Sequence, residues 1–510
     1  AQIDCIRENW TAALEHIDLA LIHNWHNHKA RQLKASILRH SGKTEEALKF
    51  IEESLIIDKF NLGCRFEKYF IESNPVELQE MLSILNGSVH NYIEYAFDFS
   101  SAGMYEEASR IMHTYIDEQT NIYPIAAYML GYFASMAGDK ETAQKWYKKA
   151  QSLSPDKCFP NRIDEVNVLT DAMKMNPEDF KAPYYLGNFW YAHRRYEEAT
   201  VCWEKSVEIN NQFPTALRNL SLAYYNKKGR KEEACRLLEK AFELDQTDSR
   251  IFMELDQLYK KMGRAHAERL TFLEAQRDDL CIERITLYNQ LGNYEKAREL
   301  IAARKFHPWE GGEGKVTGQY ILCRVELAKK AIKEKRYLEA ISLLKETDHY
   351  PHNLGEGKLI NAEENEVDYY KGIAYQKLGN EAESIKYLMK ATQGSSEPQQ
   401  AFYYNDQQPD KIFYQGLAWR ALGEESKARS RFNKLIDHGK KHLFDECKID
   451  YFAVSLPELA IWEDDLNVRN KVHCYYVMAL GYSGIGEEEL AEEYYEKVKR
   501  LDVNKQVFRM

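Results

Sequence analysis

The sequence predicts an all-α fold, a solenoid superhelix in which about twelve helix pairs stack in chain order. Three observations carry this prediction. Alanines recur 34 or 35 residues apart in matching contexts, as at Ala13 and Ala47 or at Ala199 and Ala234. Small and aromatic residues alternate at helical spacing within each interval. A composition with 44% hydrophobic residues, 29% charged residues and only 12 prolines suits a folded, helix-rich chain.

The stretch from 182 to 210 illustrates why one interval folds as a pair of helices. Gly187 and Ala199 are small enough for two helix backbones to approach closely. Trp190 and Trp203 fill the space beside that contact with large apolar side chains. Because neither helix can bury its apolar stripe alone, the pair is predicted to be the folding unit.

The same residue types return at equivalent places along the chain. Other copies carry them at Gly131, Ala143 and Tyr147, at Leu220, Ala234 and Ala241, at Gly372, Tyr375 and Ala391, and at Gly416, Ala428 and Phe432. This pattern resembles the tetratricopeptide repeat family over nearly the whole chain. The resemblance implies helix-turn-helix units of roughly 34 residues in a scaffold for protein-protein interaction.

The period divides the chain into two predicted parts that are continuous with each other. Residues 1–303 are predicted to form a regular array with an extra helix near 156–180, because 56 residues separate Gly131 from Gly187. Residues 304–510 are predicted to continue the array with long glycine-rich and aromatic insertions.

Two of these insertions, 305–320 and 348–365, share the tetrapeptide Gly-Glu-Gly-Lys. Consecutive repeats place equivalent loops side by side, so we expect the two loops to lie close together on one rim. Neither loop has the spacing of a phosphate-binding loop, and its glutamate would repel phosphate. Either the loops bind a ligand or partner, or their charged residues cap neighbouring helices. The candidate binding residues are His307, Trp309, Glu310, Glu313, Lys315, Glu356 and Lys358.

Six longer strings distinguish this chain from a generic repeat array: "CFPNR", "FHPWEGGEGK", "NLGEGK", "YYND", "IFYQGLAWRALG" and "YFAVSLPEL". They resemble a family of large bacterial proteins in which an N-terminal β-rich domain, similar to sugar-binding sandwiches, precedes the repeats. The resemblance implies that this chain is a scaffold for a carbohydrate-associated domain. The resemblance also leaves open a second function, in which this chain is the accessory half of a glycan-processing protein and contributes loop residues to a shared site.

An alternative function is peptide capture on the concave face of the array. Asn188, Asn219 and Arg250 fall at positions equivalent to three of the five residues with which chaperone-binding tetratricopeptide domains grip a C-terminal carboxylate. Tyr184 and Glu254 replace the other two, and Glu254 would repel the carboxylate. The candidates for a peptide-binding adaptor are Tyr184, Asn188, Asn219 and Arg250.

No residue pattern points to catalysis, a metal or a cofactor. His23, His26 and His28 cannot all share one helix face and have no acidic or cysteine ligand beside them, so we expect a polar loop there. Motifs that activate a nucleophile, such as Gly-x-Ser-x-Gly, are missing from the sequence. We therefore predict a non-catalytic protein that binds a protein or peptide, with carbohydrate reached through the associated domain.

The charge distribution argues against some classes of partner, and the cysteines indicate the cellular compartment. The net charge is −11, and lysines and arginines are spread among the acidic residues, which argues against nucleic acid. No run approaches the roughly 18 apolar residues of a membrane span. Nine cysteines without a Cys-x-x-Cys pair predict buried thiols in the cytoplasm. The chain begins at Ala1 without Met, so we expect that an upstream segment, within which a signal peptide could lie, has been removed.

Overall fold

The computed structural model describes residues 1–117, 119–276, 280–307, 312–360, 362–401, 408–448 and 461–507. Within these ranges the regular structure is helical and no strand occurs, which confirms the all-α prediction. Most helices pack against the helix that follows them or the one after that.

The chain divides into two compact units, Ala1–Ala223 and Tyr224–Met510, and the division falls inside the fourteenth helix. The helices up to that point are α1 (Gln2–Ile6), α2 (Trp10–His23), α3 (His28–His40), α4 (Thr44–Ile57), α5 (Leu62–Glu72), α6 (Pro75–Leu85), α7 (Val89–Ser100), α8 (Tyr105–Ile116), α9 (Pro124–Met136), α10 (Lys140–Ser152), α11 (Asp164–Met175), α12 (Lys181–Ala192), α13 (Tyr196–Ile209) and α14 (Pro214–Lys228). Helix α11 lies where the sequence predicts an extra helix.

The second unit, Tyr224–Met510, continues with helices of more varied length. They are α15 (Lys231–Leu244), α16 (Ser249–Lys261), α17 (His266–Glu274), α18 (Cys281–Gln290), α19 (Tyr294–Ala302), α20 (Lys315–Lys333), α21 (Tyr337–Lys345), α22 (Asn365–Lys377), α23 (Glu381–Ala391), α24 (Pro409–Ala421), α25 (Glu425–His442), α26 (Leu466–Ile485) and α27 (Glu488–Leu501). Two single 3₁₀ turns, Glu346–Asp348 and His352–Leu354, lie in the loop before α22.

Close contact between paired helices follows the predicted pattern of small and large residues. In the pair α12 and α13, a Cβ atom on Gly187 would lie 2.5 Å from the Cδ1 atom of Trp203. Trp203 is 3% exposed, so its predicted burial is confirmed. The indole Nε1 of Trp203 donates to the Tyr184 carbonyl at 3.3 Å and to Asn188 Oδ1 at 3.1 Å. Because Gly187 has no side chain, Trp203 can pack between the two helices.

All nine cysteines are free thiols, and eight of them are buried. Burial disfavours the charged thiolate, which raises the pKa of Cys64 to about 12. Such thiols act as small apolar core residues and not as nucleophiles.

Candidate functional site

The two Gly-Glu-Gly-Lys loops touch each other through Glu356. Its carboxylate accepts hydrogen bonds from the Gly314 backbone N–H at 3.2 Å and from the Thr317 hydroxyl at 3.2 Å. Gly314 is the N-cap of α20, and its φ of 76° lies in the left-handed region that favours glycine. The predicted proximity of the two loops is confirmed. Glu356 satisfies orphan donors and adds a favourable negative charge at the start of α20.

Lys358 is tied into the same region by contacts inside the second loop. Its ammonium donates to the Thr347 carbonyl at 2.9 Å and to the carboxylate of Glu364 at 2.5 Å. The Tyr350 hydroxyl donates to that carboxylate at 2.7 Å. Burial and the neighbouring Glu364 charge both raise the pKa of Tyr350, so the phenol stays a donor. Lys358 therefore holds the loop against the residues that lead into α22.

The other residues predicted for this site are placed differently. His307 and Glu313 are exposed, and Lys315 is the half-buried first residue of α20. Trp309 and Glu310 lie outside the described residues. The second loop also presents a feature that the sequence reasoning missed, because the side chains that follow Lys358 point into solvent. These are Leu359, 71% exposed, and Ile360, fully exposed.

Three of the four residues predicted for peptide binding form an internal network in the first unit. Asn219 Nδ2 donates to Asn188 Oδ1 at 2.9 Å, the same oxygen that accepts from the indole of Trp203. Tyr184 is 5% exposed and packs edge-on against Phe213. Burial raises the pKa of Tyr184. These side chains couple neighbouring helix pairs to each other.

The fourth residue, Arg250, belongs to the second unit. It is exposed in the first turn of α16, where Asp248 caps the helix by accepting from the Arg250 backbone N–H at 2.8 Å. A peptide-binding site formed by Tyr184, Asn188, Asn219 and Arg250 stays a prediction.

The second unit contains a site that the sequence did not predict, where the segment 461–465 contacts α14 and α16. Trp462 is 1% exposed, and its indole N–H donates to the Glu254 carbonyl at 3.1 Å. The Tyr225 ring meets the indole edge-on at 5.1 Å. Asn226 holds the backbone on both sides of Trp462, since its side chain bonds Ile461 O and Glu463 N at 2.8 Å each.

A second segment, 502–507, enters the same unit beside α16, α17 and α18. The Asn504 amide nitrogen donates to the Lys260 carbonyl at 2.8 Å, and its amide oxygen accepts from Arg269 Nη1 at 3.1 Å. Gln290 Nε2 donates to the Asn504 backbone carbonyl at 2.8 Å. Next to this segment is a cavity of about 520 Å³.

A comparison with protein families matches four segments of the chain. The model described as "Tetratricopeptide repeat" matches residues 125–157, 216–248, 369–393 and 472–504. These segments are tetratricopeptide repeats. With the all-helical, pairwise packing, they confirm the predicted class of an α-solenoid of tetratricopeptide type.

Solved structures that are similar to this chain share low sequence identity with it. The crystal structure of MamA is 19% identical, with 36% of this chain and 96% of that chain covered at a TM-score of 0.19. YrrB, described as a TPR protein with an unusual peptide-binding site, is 17% identical over 47% of this chain and 98% of its own, with a TM-score of 0.18. The TPR domain of P58(IPK) is 15% identical over 83% of this chain and 98% of its own, with a TM-score of 0.19.

Most candidate residues lie outside the matched tetratricopeptide repeats. Both Gly-Glu-Gly-Lys loops and Trp462 fall between matched segments, whereas Asn219 lies within the second match and Asn504 ends the last. In the described part of the chain, no helix is long and apolar enough to cross a membrane. The same residues contain no group of three His, Cys, Asp or Glu side chains that could hold a metal ion.

Proposed function

We propose that this chain is a non-catalytic scaffold that binds a protein partner through the loops inserted into its tetratricopeptide repeats. Repeats of this type generally mediate protein or peptide interactions. The observation that carries the proposal is the exposed pair Leu359 and Ile360, on a loop in which the side chains of Glu356 and Lys358 are hydrogen-bonded to neighbouring segments.

The loop is fixed immediately before this apolar pair. Glu356 bonds to the start of α20, and Lys358 bonds to Thr347 and Glu364. A loop that is already ordered loses little conformational entropy when a partner binds. Covering each of the two side chains would contribute roughly 1.5–3 kcal/mol. The exposed His307 and Glu313, on the neighbouring loop, supply polar groups for the rim of such an interface.

The partner that we propose is a β-rich, carbohydrate-associated domain of the kind that precedes this repeat region in the proteins it resembles. The chain would then position that domain, and sugar would contact the domain and not the repeats. Nine free thiols support a reducing compartment, and we place the protein in the cytoplasm.

The test is titration calorimetry of the chain with the separately expressed β-rich domain. The double variant Leu359→Ser and Ile360→Ser should raise the dissociation constant at least about tenfold, which corresponds to a loss of about 1.4 kcal/mol in binding free energy. Leu338→Ser is the matched control, because Leu338 is 74% exposed but lies on α21, away from the loop sequence. If wild-type chain does not bind the domain, the proposed partner is wrong. If it binds and the double variant binds equally well, the loop is not the interface.

A further inference from the structure

The segment Asp502–Val507 is bound within the second unit in the way that a peptide ligand would be. It follows α27, yet Asn504 within it forms hydrogen bonds to helices more than 200 residues earlier in the chain. Asn504 makes these contacts through both its side chain and its backbone. The groups that bond to Asn504 belong to Lys260, Arg269 and Gln290.

The pocket around Asn504 matches the chemistry of a primary amide. A carboxamide has one donating and one accepting end, and here the Lys260 carbonyl faces the donor while Arg269 Nη1 faces the acceptor. An aspartate would place a carboxylate oxygen against the Lys260 carbonyl. An alanine would leave Arg269 Nη1 without this acceptor, whereas the Lys260 carbonyl would keep its hydrogen bond from the Gly263 backbone N–H at 3.1 Å. Gln290 adds a contact to the Asn504 backbone carbonyl, a group that is present whatever the side chain.

The guanidinium of Arg269, which donates to the asparagine, is held in place by a buried ion pair. Arg269 and Asp256 are each 2% exposed, and two nitrogens of the guanidinium bond the carboxylate at 3.0 and 2.8 Å. This bidentate pair fixes the plane of the guanidinium and leaves Nη1 directed at Asn504. A preorganised donor makes the pocket selective, because it cannot rotate to suit a different ligand.

The adjoining cavity of about 520 Å³ has room and unused polar groups for more of a peptide. Asn289 is 3% exposed and, like Gln290, lines this cavity. The amide oxygens of both residues are buried, and they accept no hydrogen bond from the described residues. Backbone N–H groups of a bound peptide are donors of the kind that these oxygens lack.

We propose that Lys260, Arg269 and Gln290 form a peptide-binding site that recognises an asparagine in a turn, and that Asn504, within the turn Asp502–Lys505, is its intramolecular occupant. A partner peptide with the same chemistry would compete with Asp502–Val507. A tethered occupant acts at an effective concentration in about the millimolar range, so a free peptide binds weakly until that segment leaves. This site is separate from the loop proposed above as an interface, and its test does not depend on that proposal.

The test uses a fluorescein-labelled peptide with the sequence of residues 501–507, Leu-Asp-Val-Asn-Lys-Gln-Val. Anisotropy titrations compare the full-length wild-type chain, the full-length Asn504→Ala variant and a variant that ends at Leu501. The peptide should bind both altered chains at least about tenfold more tightly than wild type, because the competitor is weakened or gone. A second peptide with alanine in place of the asparagine should bind them at least about tenfold more weakly than the first.

Asn380→Ala is the matched protein control, since Asn380 caps α23 in the same unit and should leave peptide binding at the wild-type level. Far-UV circular dichroism checks that each variant keeps its helix content. Equal affinity for the two peptides would overturn asparagine recognition. Failure of the first peptide to bind a folded Asn504→Ala chain and a folded shortened chain would overturn the site itself.

Discussion

At the scale of single residues, the same spacing between a glycine and a large side chain recurs in four helix pairs. A glycine in the first helix faces a large side chain 16 residues later in the second, at Gly131 and Tyr147, Gly187 and Trp203, Gly372 and Leu388, and Gly416 and Phe432. In each pair, an added Cβ would overlap the large side chain. Close packing of this kind cannot absorb even one extra methyl group without moving a neighbour.

We predict opposite effects for alanine at two helical glycines. Gly187→Ala should lower the free energy of unfolding by about 1–3 kcal/mol, because the new methyl group would overlap Trp203. Gly318→Ala, in α20, should raise it by about 0.5–1 kcal/mol, since a Cβ there meets no described atom within 4 Å and glycine disfavours a helix. Urea unfolding followed by circular dichroism measures both. Equal effects would show that the glycine acts through helix propensity alone.

The residues of these pairs could be predicted from the sequence, whereas the roles of the polar candidates could not. The period and the apolar spacing identify Gly187 and Trp203 as partners, and their contact follows from helix geometry. Asn188 and Asn219 occupy recognisable positions in the repeats, but the same residue type can bind a ligand or bond to a neighbour. Only the contact between the two amides shows that they bond to each other here.

At the scale of elements, two copies of the same tetrapeptide have different structural roles. Lys315 of the first copy is the first residue of α20, whereas Lys358 of the second precedes α22 by seven residues. The second copy therefore stays a loop, and its glutamate is free to reach the helix that the first copy begins. The shared motif predicted that the loops are neighbours. It could not distinguish the glutamate that caps from Glu313, which is exposed.

We predict that the two glutamates respond differently to removal of their carboxylates. Glu356→Ala should lower the free energy of unfolding by about 0.5–2 kcal/mol, because the Gly314 N–H and the Thr317 hydroxyl lose their acceptor. Glu313→Ala is the control and should change it by less than about 0.5 kcal/mol, as an exposed substitution. Thermal and urea unfolding of the two variants measure the difference. A larger loss from Glu313→Ala would contradict the assignment of Glu356 as the cap.

At the scale of the whole molecule, the period predicts a chain whose contacts stay local. A solenoid is stabilised by each repeat and its nearest neighbours, so its ends are expected to unfold with little cooperativity. The second unit departs from this rule, because 461–465 and 502–507 contact α14 and α16–α18. These contacts span more than 200 residues and follow no repeat, so one sequence cannot reveal them. The tryptophan in "IWEDD" was the available signal, since a large aromatic residue in a polar segment requires a burial site.

The long-range contact predicts that one substitution will loosen a helix far away in sequence. Trp462→Ala should cost about 3–5 kcal/mol, because the ring is fully buried against Tyr225 and its N–H bonds the Glu254 carbonyl. Hydrogen exchange should then become faster in α16, although that helix lies about 200 residues before the substitution. Phe444→Ala, at an 84% exposed aromatic residue in the same unit, should leave α16 unchanged. If exchange in α16 is the same in Trp462→Ala as in wild type, the stability of the second unit is local after all, as in an ordinary solenoid.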